Sequence, residues 1–128
     1  MATVAEHMSR ELVRVEPGVS LEDAAKRMAE RRVGSALVFD GERLIGIVTE
    51  RDILRAVAEG RLASTVADRM TPHPETIAPD DTVEHAGVLM LHGGFRHLPV
   101  VAGGATVGIL SIRDLVGIAL ADAAPRGV

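Results

Sequence analysis

The sequence predicts an α/β (α+β) fold of two tandem β-α-β-β-α repeats, residues 1–62 and 63–128, packed with pseudo-two-fold symmetry. Residues 4–54 lie on residues 66–116 without a gap, with identities that include Val4/Val66, Met8/Met70, Pro17/Pro79, Met28/Met90, Gly46/Gly108 and Asp52/Asp114. Both copies pass through the same succession of apolar patterns. A repeat of this length is too long for most solenoid units and too short to bury a large core alone, so two copies are expected to share one domain.

The first element of each copy is a short extended piece, Val13–Val15 or Thr76–Ala78, closed by Pro17 or Pro79. A helix follows. Ser20 with Asp23 three residues on, and Asp81 or Thr82 followed by Glu84, are helix-start signals. Leu21, Ala24, Ala25 and Met28 recur at helical spacing, as do Val83, Ala86 and Met90, which gives each helix one buried face. Arg27, Arg31 and Arg32 fall at the far end of the first helix, where cations suit the dipole. Strand composition then takes over. Ala36–Phe39, the turn Asp40-Gly41 and Leu44–Val48 read as a hairpin. Leu98–Val101, Gly103-Gly104 and Val107–Leu110 read as its counterpart. A second helix is expected from about Glu50 to Glu59 and from about Ile112 to Ala121. Residues 60–65 form the connector, and 123–128 is expected to be a flexible tail.

Composition removes several function classes. Apolar residues make up 47% of the 128, yet no run of about 18 spans a membrane. The opening MATVAEHMSREL has no apolar signal segment, so a cytoplasmic location is expected. Cysteine is absent, which excludes disulfides, thiolate metal sites and a cysteine nucleophile. A net charge of −4 and only two aromatics, Phe39 and Phe95, argue against nucleic acid as a partner. His7, His73, His85, His92 and His97 show no compact ligand motif, so no metal is expected. Asp80-Asp81 reads as a helix-start anion pair, and no nucleophile has a paired base, so no catalytic residue is assigned.

The best-matched stretch runs from the second hairpin strand into the following helix: GIVTERD at 46–52 and GILSIRD at 108–114. A hydroxyl residue, Thr49 or Ser111, stands three before an aspartate, Asp52 or Asp114. One reading is a capping box, in which hydroxyl and carboxylate satisfy first-turn amides. The other is a ribose-phosphate clamp. Helix amides and dipole favour phosphate, and a carboxylate one turn in accepts from ribose hydroxyls. At this level both readings stand.

Together with VGSALVFDGERLIG and FRHLPVVAGGATVG, these stretches make residues 4–120 resemble a tandem pair of CBS domains, named after cystathionine beta-synthase and called a Bateman module when paired. The resemblance implies two clefts framed by the repeats, for adenosine-containing ligands such as AMP, ADP, ATP, NAD or S-adenosylmethionine. It implies a homodimer as well. In the favoured cleft, Asp114 would hold ribose and Ser111 and Arg113 would approach phosphate, with Ser35, Ala36 and Val15 around adenine. Arg96-His97 matches, in reversed order, a basic pair that contacts phosphate in nucleotide-binding members. The other cleft would use Asp52, Thr49 and Arg51 with Leu98 and Ile77; Gly34-Ser35 stands there in place of the basic pair. The expected role is a stand-alone, non-enzymatic regulatory module that signals to a protein partner in trans. The alternative is a ligand-independent dimerisation or protein-interaction module.

Overall fold

The computed structural model describes residues 2–123. Of the expected tail, only Ala123 falls within them, as the last residue of a helix; the remainder lies outside the described residues. In chain order the elements are α1 (Val4–His7), β1 (Arg14–Val15), α2 (Leu21–Arg31), β2 (Ser35–Asp40), β3 (Arg43–Thr49), α3 (Glu50–Glu59), α4 (Val66–Arg69), β4 (Thr71–Pro72), α5 (Val83–Gly93), β5 (His97–Ala102), β6 (Ala105–Ser111) and α6 (Ile112–Ala123). The order matches the prediction except at Thr76–Ala78, where the expected extended piece makes only an isolated bridge at Ile77; two one-turn helices and the two-residue strand β4 are added. Elements of two to four residues carry no periodicity that a sequence pattern can reveal.

Two compact units form, and they are out of phase with the sequence repeat. The central unit is Glu11–Pro74; the flanking unit joins the segment up to Arg10 to the residues described from Glu75 onward. Each unit therefore takes its leading one-turn helix from the neighbouring repeat.

In the central unit a four-stranded sheet runs in the order β1-β2-β3-β4, with β1 parallel to β2 and the other pairs antiparallel. Ala36, Val38 and Val48 pack with Leu21, Ala24 and Met28 of α2, Ala56 of α3 and Val66 of α4 into one core. Burial of these side chains is the main favourable term holding the unit together. The flanking unit repeats the plan around the β5–β6 hairpin, with Val4, Ala86, Met90, Leu98, Val100 and Leu110 in its core. Both hairpins carry a bulge at the matching place, where Ile45 and Val107 are the extra residues.

The outer strand lanes differ, and one residue explains part of it. In the central unit the Leu37 N–H donates to the Val13 carbonyl at 2.8 Å, which extends β1. Pro99 stands at the matching position and has no N–H. The lane there shrinks to a single parallel bridge, Ile77 with Val100.

The leading segments dock by the same rule in both units. Thr71 pairs with Ile47, and Ser9 pairs with Ile109 through two hydrogen bonds of 2.8 and 2.9 Å. Glycine makes the approach possible. A Cβ at Gly46 would overlap the Met70 side chain, and one at Gly108 would stand 2.9 Å from the Ser9 carbonyl oxygen. In α1 a capping box closes the turn: the Thr3 hydroxyl donates to Glu6 Oε1 at 2.9 Å and the Thr3 amide donates at 3.3 Å. These bonds favour the ionised form and hold the Glu6 carboxyl below its ordinary range.

Two expectations follow. Gly108→Ala should cost about 1–3 kcal/mol in urea denaturation, because backbone must move, while Gly46→Ala should cost less because the flexible Met70 side chain can yield. The Glu6 contribution should be present above the ordinary carboxylate range and be lost as pH falls through its lowered folded pKa. The Thr3 amide resonance, followed by NMR against pH, should report that step.

Candidate functional site

At both strand-to-helix junctions the backbone leaves the sheet at a hydroxyl residue. Thr49 ends β3 in an extended conformation (φ −121°, ψ 171°) and caps α3. Its amide donates to Asp52 Oδ2 at 2.9 Å, and its hydroxyl donates to the same oxygen at 3.2 Å. In the flanking unit the Ser111 amide and hydroxyl donate to Asp114 Oδ2 at 2.8 and 3.0 Å. The Asp114 amide returns a bond to the Ser111 hydroxyl at 3.3 Å.

The first helical amide is held from a third direction. Glu50 N–H donates to the Gly34 carbonyl at 3.1 Å, and Ile112 N–H donates to the Arg96 carbonyl at 2.8 Å. Strand register completes each junction: Ser35 lies opposite Thr49, and His97 lies opposite Ser111. The Gly34 and Arg96 carbonyls carry no side-chain signal, so sequence reasoning missed their part in the clamp.

The sequence left capping and ligand binding as rival uses of the motif. Capping is what the structure shows. It occupies one oxygen of each half-buried aspartate, Oδ2, and the first and cap amides. Oδ1 and the second-position amides of Arg51 and Arg113 take no part in the box. A helix start with a fixed carboxylate and first-turn amides suits a ligand that donates hydroxyls and accepts N–H bonds.

The predicted site residues divide between the units. Ser111, Arg113, Asp114, Arg96 and His97 belong to the flanking unit, together with Leu98 and Ile77. Thr49, Arg51, Asp52, Ser35, Ala36 and Val15 belong to the central unit. Arg51, Arg96 and Arg113 are exposed, and His97 is half-buried. Val15, Ala36, Ile77 and Leu98 lie in the cores of their own units, so backbone is the part of them that a ligand can reach. Ser35 is the one buried polar residue among those described, and no buried side-chain N or O there lacks a partner. Among the described residues no cluster of His, Asp and Glu could hold a metal ion, and no helix is long and apolar enough to cross a membrane.

Comparison with known proteins gives a consistent answer. The family model for the CBS domain matches twice, at residues 4–59 and 64–121. An uncharacterised 17.7 kDa protein of Acidianus ambivalens is 43% identical over 103 residues, covering 79% of this chain and 63% of that protein. The chain spans less than two thirds of the length of the first curated relatives it matches. Among solved structures, a protein with CBS domains from Burkholderia ambifaria MC40-6 is 35% identical, with a TM-score of 0.89 and coverage of 99% of this chain and 100% of that one. CBSX2 in complex with AMP is 30% identical (TM-score 0.78, 97% and 100% covered). The CBS domain pair of MJ0100 in complex with 5-methylthioadenosine and S-adenosyl-L-methionine is 25% identical (TM-score 0.85, 91% and 98% covered).

Since the hydroxyls serve as caps, Ser111→Ala or Thr49→Ala should each lower stability by about 0.5–2 kcal/mol in thermal or urea unfolding. Serine in place of Thr49 should retain most of that contribution.

Proposed function

The chain belongs to the CBS domain family, and from that premise we propose that it is a non-catalytic regulatory module that binds an adenosine-containing nucleotide. The observation that carries this reading is the twofold retention of a hydroxyl and a half-buried aspartate at a helix start, with one carboxylate oxygen outside the box. Solved relatives hold AMP, or S-adenosylmethionine and methylthioadenosine, which supports adenosine as the shared chemical feature.

In this reading Asp114 accepts from the ribose hydroxyls, while the Arg113 amide and the Ser111 junction receive phosphate or another anionic group. Arg96 and Arg113, exposed beside the junction, add positive charge. Ser35, Ala36 and Val15 would offer backbone groups to the adenine. The Thr49–Asp52 junction, with Arg51, Leu98 and Ile77, is the weaker site because Gly34-Ser35 stands where Arg96-His97 stands in the other repeat. AMP, ADP, ATP, NAD and S-adenosylmethionine are the candidate ligands. Binding shifts the population of conformations of the module, and a protein partner in trans reads that shift. We place the module in the cytoplasm.

A second reading rests on a different observation. Leu54 and Val57 on α3, and Val116 and Leu120 on α6, are exposed. Apolar residues at helical spacing on a surface mark an association face. A homodimer through these helices is compatible with nucleotide sensing. It would be the whole function if the boxes served only as caps.

One experiment separates the readings. The chain is screened by thermal shift against the five candidate ligands, and again as Asp114→Ala. Binding at about 100-fold over Kd stabilises by about 2.7 kcal/mol, a rise of several degrees in Tm. For a sensor, one ligand should raise Tm in the parent. In Asp114→Ala its affinity should fall well beyond what a capping loss of about 0.5–2 kcal/mol explains. A flat screen on a folded dimer favours the interaction module.

A further inference from the structure

The two junctions share a backbone plan and differ in charge at one matched pair of positions. In the central unit the Glu50 N–H donates to the Gly34 carbonyl at 3.1 Å, and in the flanking unit the Ile112 N–H donates to the Arg96 carbonyl at 2.8 Å. The same hydrogen bond thus joins glutamate to glycine in one unit and isoleucine to arginine in the other. Their neighbours keep their chemistry. Hydroxyl, arginine and aspartate recur as Thr49/Ser111, Arg51/Arg113 and Asp52/Asp114.

That exchange reverses the sign of the junction. Glu50, Arg51 and Asp52 give the central junction a net negative charge, whereas Arg96, Arg113 and Asp114 give the flanking junction a net positive one. Glu50, Arg51, Arg96 and Arg113 are exposed, and among the described residues no ion pair engages them. Position matters as much as sign. Glu50 is the first residue of α3 and Ile112 the first of α6. The Cα–Cβ bonds of a helix tilt toward its N-terminus, so Glu50 brings its charge to the end that would receive an anionic ligand group. Ile112 brings none there.

An acid at this position also suits the dipole of α3. That contribution acts on stability and is blind to which ligand is bound, so ligand selectivity separates the two roles.

We infer that Glu50 sets the ligand class of the central junction. That junction takes an adenosine derivative whose 5′ substituent is uncharged or cationic, a thioether or a sulfonium, and the flanking junction takes a 5′-phosphate. The inference rests on the reading of both junctions as nucleotide sites and assigns them different signals. At the central junction a phosphate would meet the Glu50 carboxylate beside the helix amides. A unit charge several ångströms away, partly screened by water, changes affinity about tenfold. A sulfonium meets the opposite sign and gains.

The test uses the full chain labelled with ¹⁵N and titrated with AMP, methylthioadenosine and S-adenosylmethionine. The Arg51 and Arg113 amides report the two junctions separately. AMP should bind about tenfold or more tighter at Arg113 than at Arg51. Methylthioadenosine and S-adenosylmethionine should each bind tighter than AMP at Arg51. In Glu50→Gln, AMP should gain about tenfold at Arg51 while methylthioadenosine holds and Arg113 is unaffected. The converse Ile112→Glu should weaken AMP about tenfold at Arg113 and spare methylthioadenosine. Amide spectra of both variants report folding directly, and a residue that only stabilised its helix would move all three ligands together. The inference is overturned if AMP binds as tightly as methylthioadenosine at Arg51 in the parent. It is equally overturned if Glu50→Gln leaves the ratio of those two affinities unchanged. Absence of binding by all three at both junctions up to about 10 mM overturns the nucleotide reading itself, and this inference with it.

Discussion

The close approach of a leading segment to the second hairpin strand is the contact from which the rest of the architecture follows. Met70 lies against Gly46, and Met8 with the Ser9 carbonyl lies against Gly108. A side chain at either glycine would occupy the space that the segment uses. With glycine there, Thr71 and Ser9 pair with Ile47 and Ile109, and Val66 and Val4 drop fully buried into the two cores. Because Val4 and Ser9 sit at the start of the chain and complete a unit built mainly from its second half, neither repeat folds as a self-contained piece of sequence.

That docking bears on the junctions three residues further along the same strands. The lane that positions Ile47 and Ile109 also fixes where β3 and β6 end, and therefore where Thr49 and Ser111 turn the chain into a helix. The box then locks each aspartate by one oxygen, and the carbonyls of Gly34 and Arg96 hold the first helical amide. A carboxylate held in this way has little rotamer entropy left to lose. In the proposed reading, stability and recognition would use the same side chain without competing for the same atom.

Near-symmetry makes the departures informative. Pro99 removes one donor and reduces a strand lane to a bridge. Arg32 closes α2 in the left-handed conformation (φ 55°) at the place where Gly94 closes the matching helix. Arginine there bears a steric cost that glycine avoids.

The sequence by itself determined the period, the order of the main elements and the two hydroxyl–aspartate pairs. Each depends on local spacing: the helical recurrence of Leu21, Ala24 and Met28, the Gly-containing turns, and the three-residue reach of a capping box. It also pointed to Gly46 and Gly108 as repeated positions, without showing what approached them. Only the tertiary structure decided that the first ten residues belong with the second repeat, since a one-turn helix such as α1 has no pattern of its own and is held by distant partners at Asp81 and Pro79, with Ser9 beyond it held by Ile109. The structure also decided that Val15, Ala36, Ile77 and Leu98 lie in cores and offer a ligand only backbone. Burial on both faces of a strand depends on what packs over it, and no local spacing encodes that.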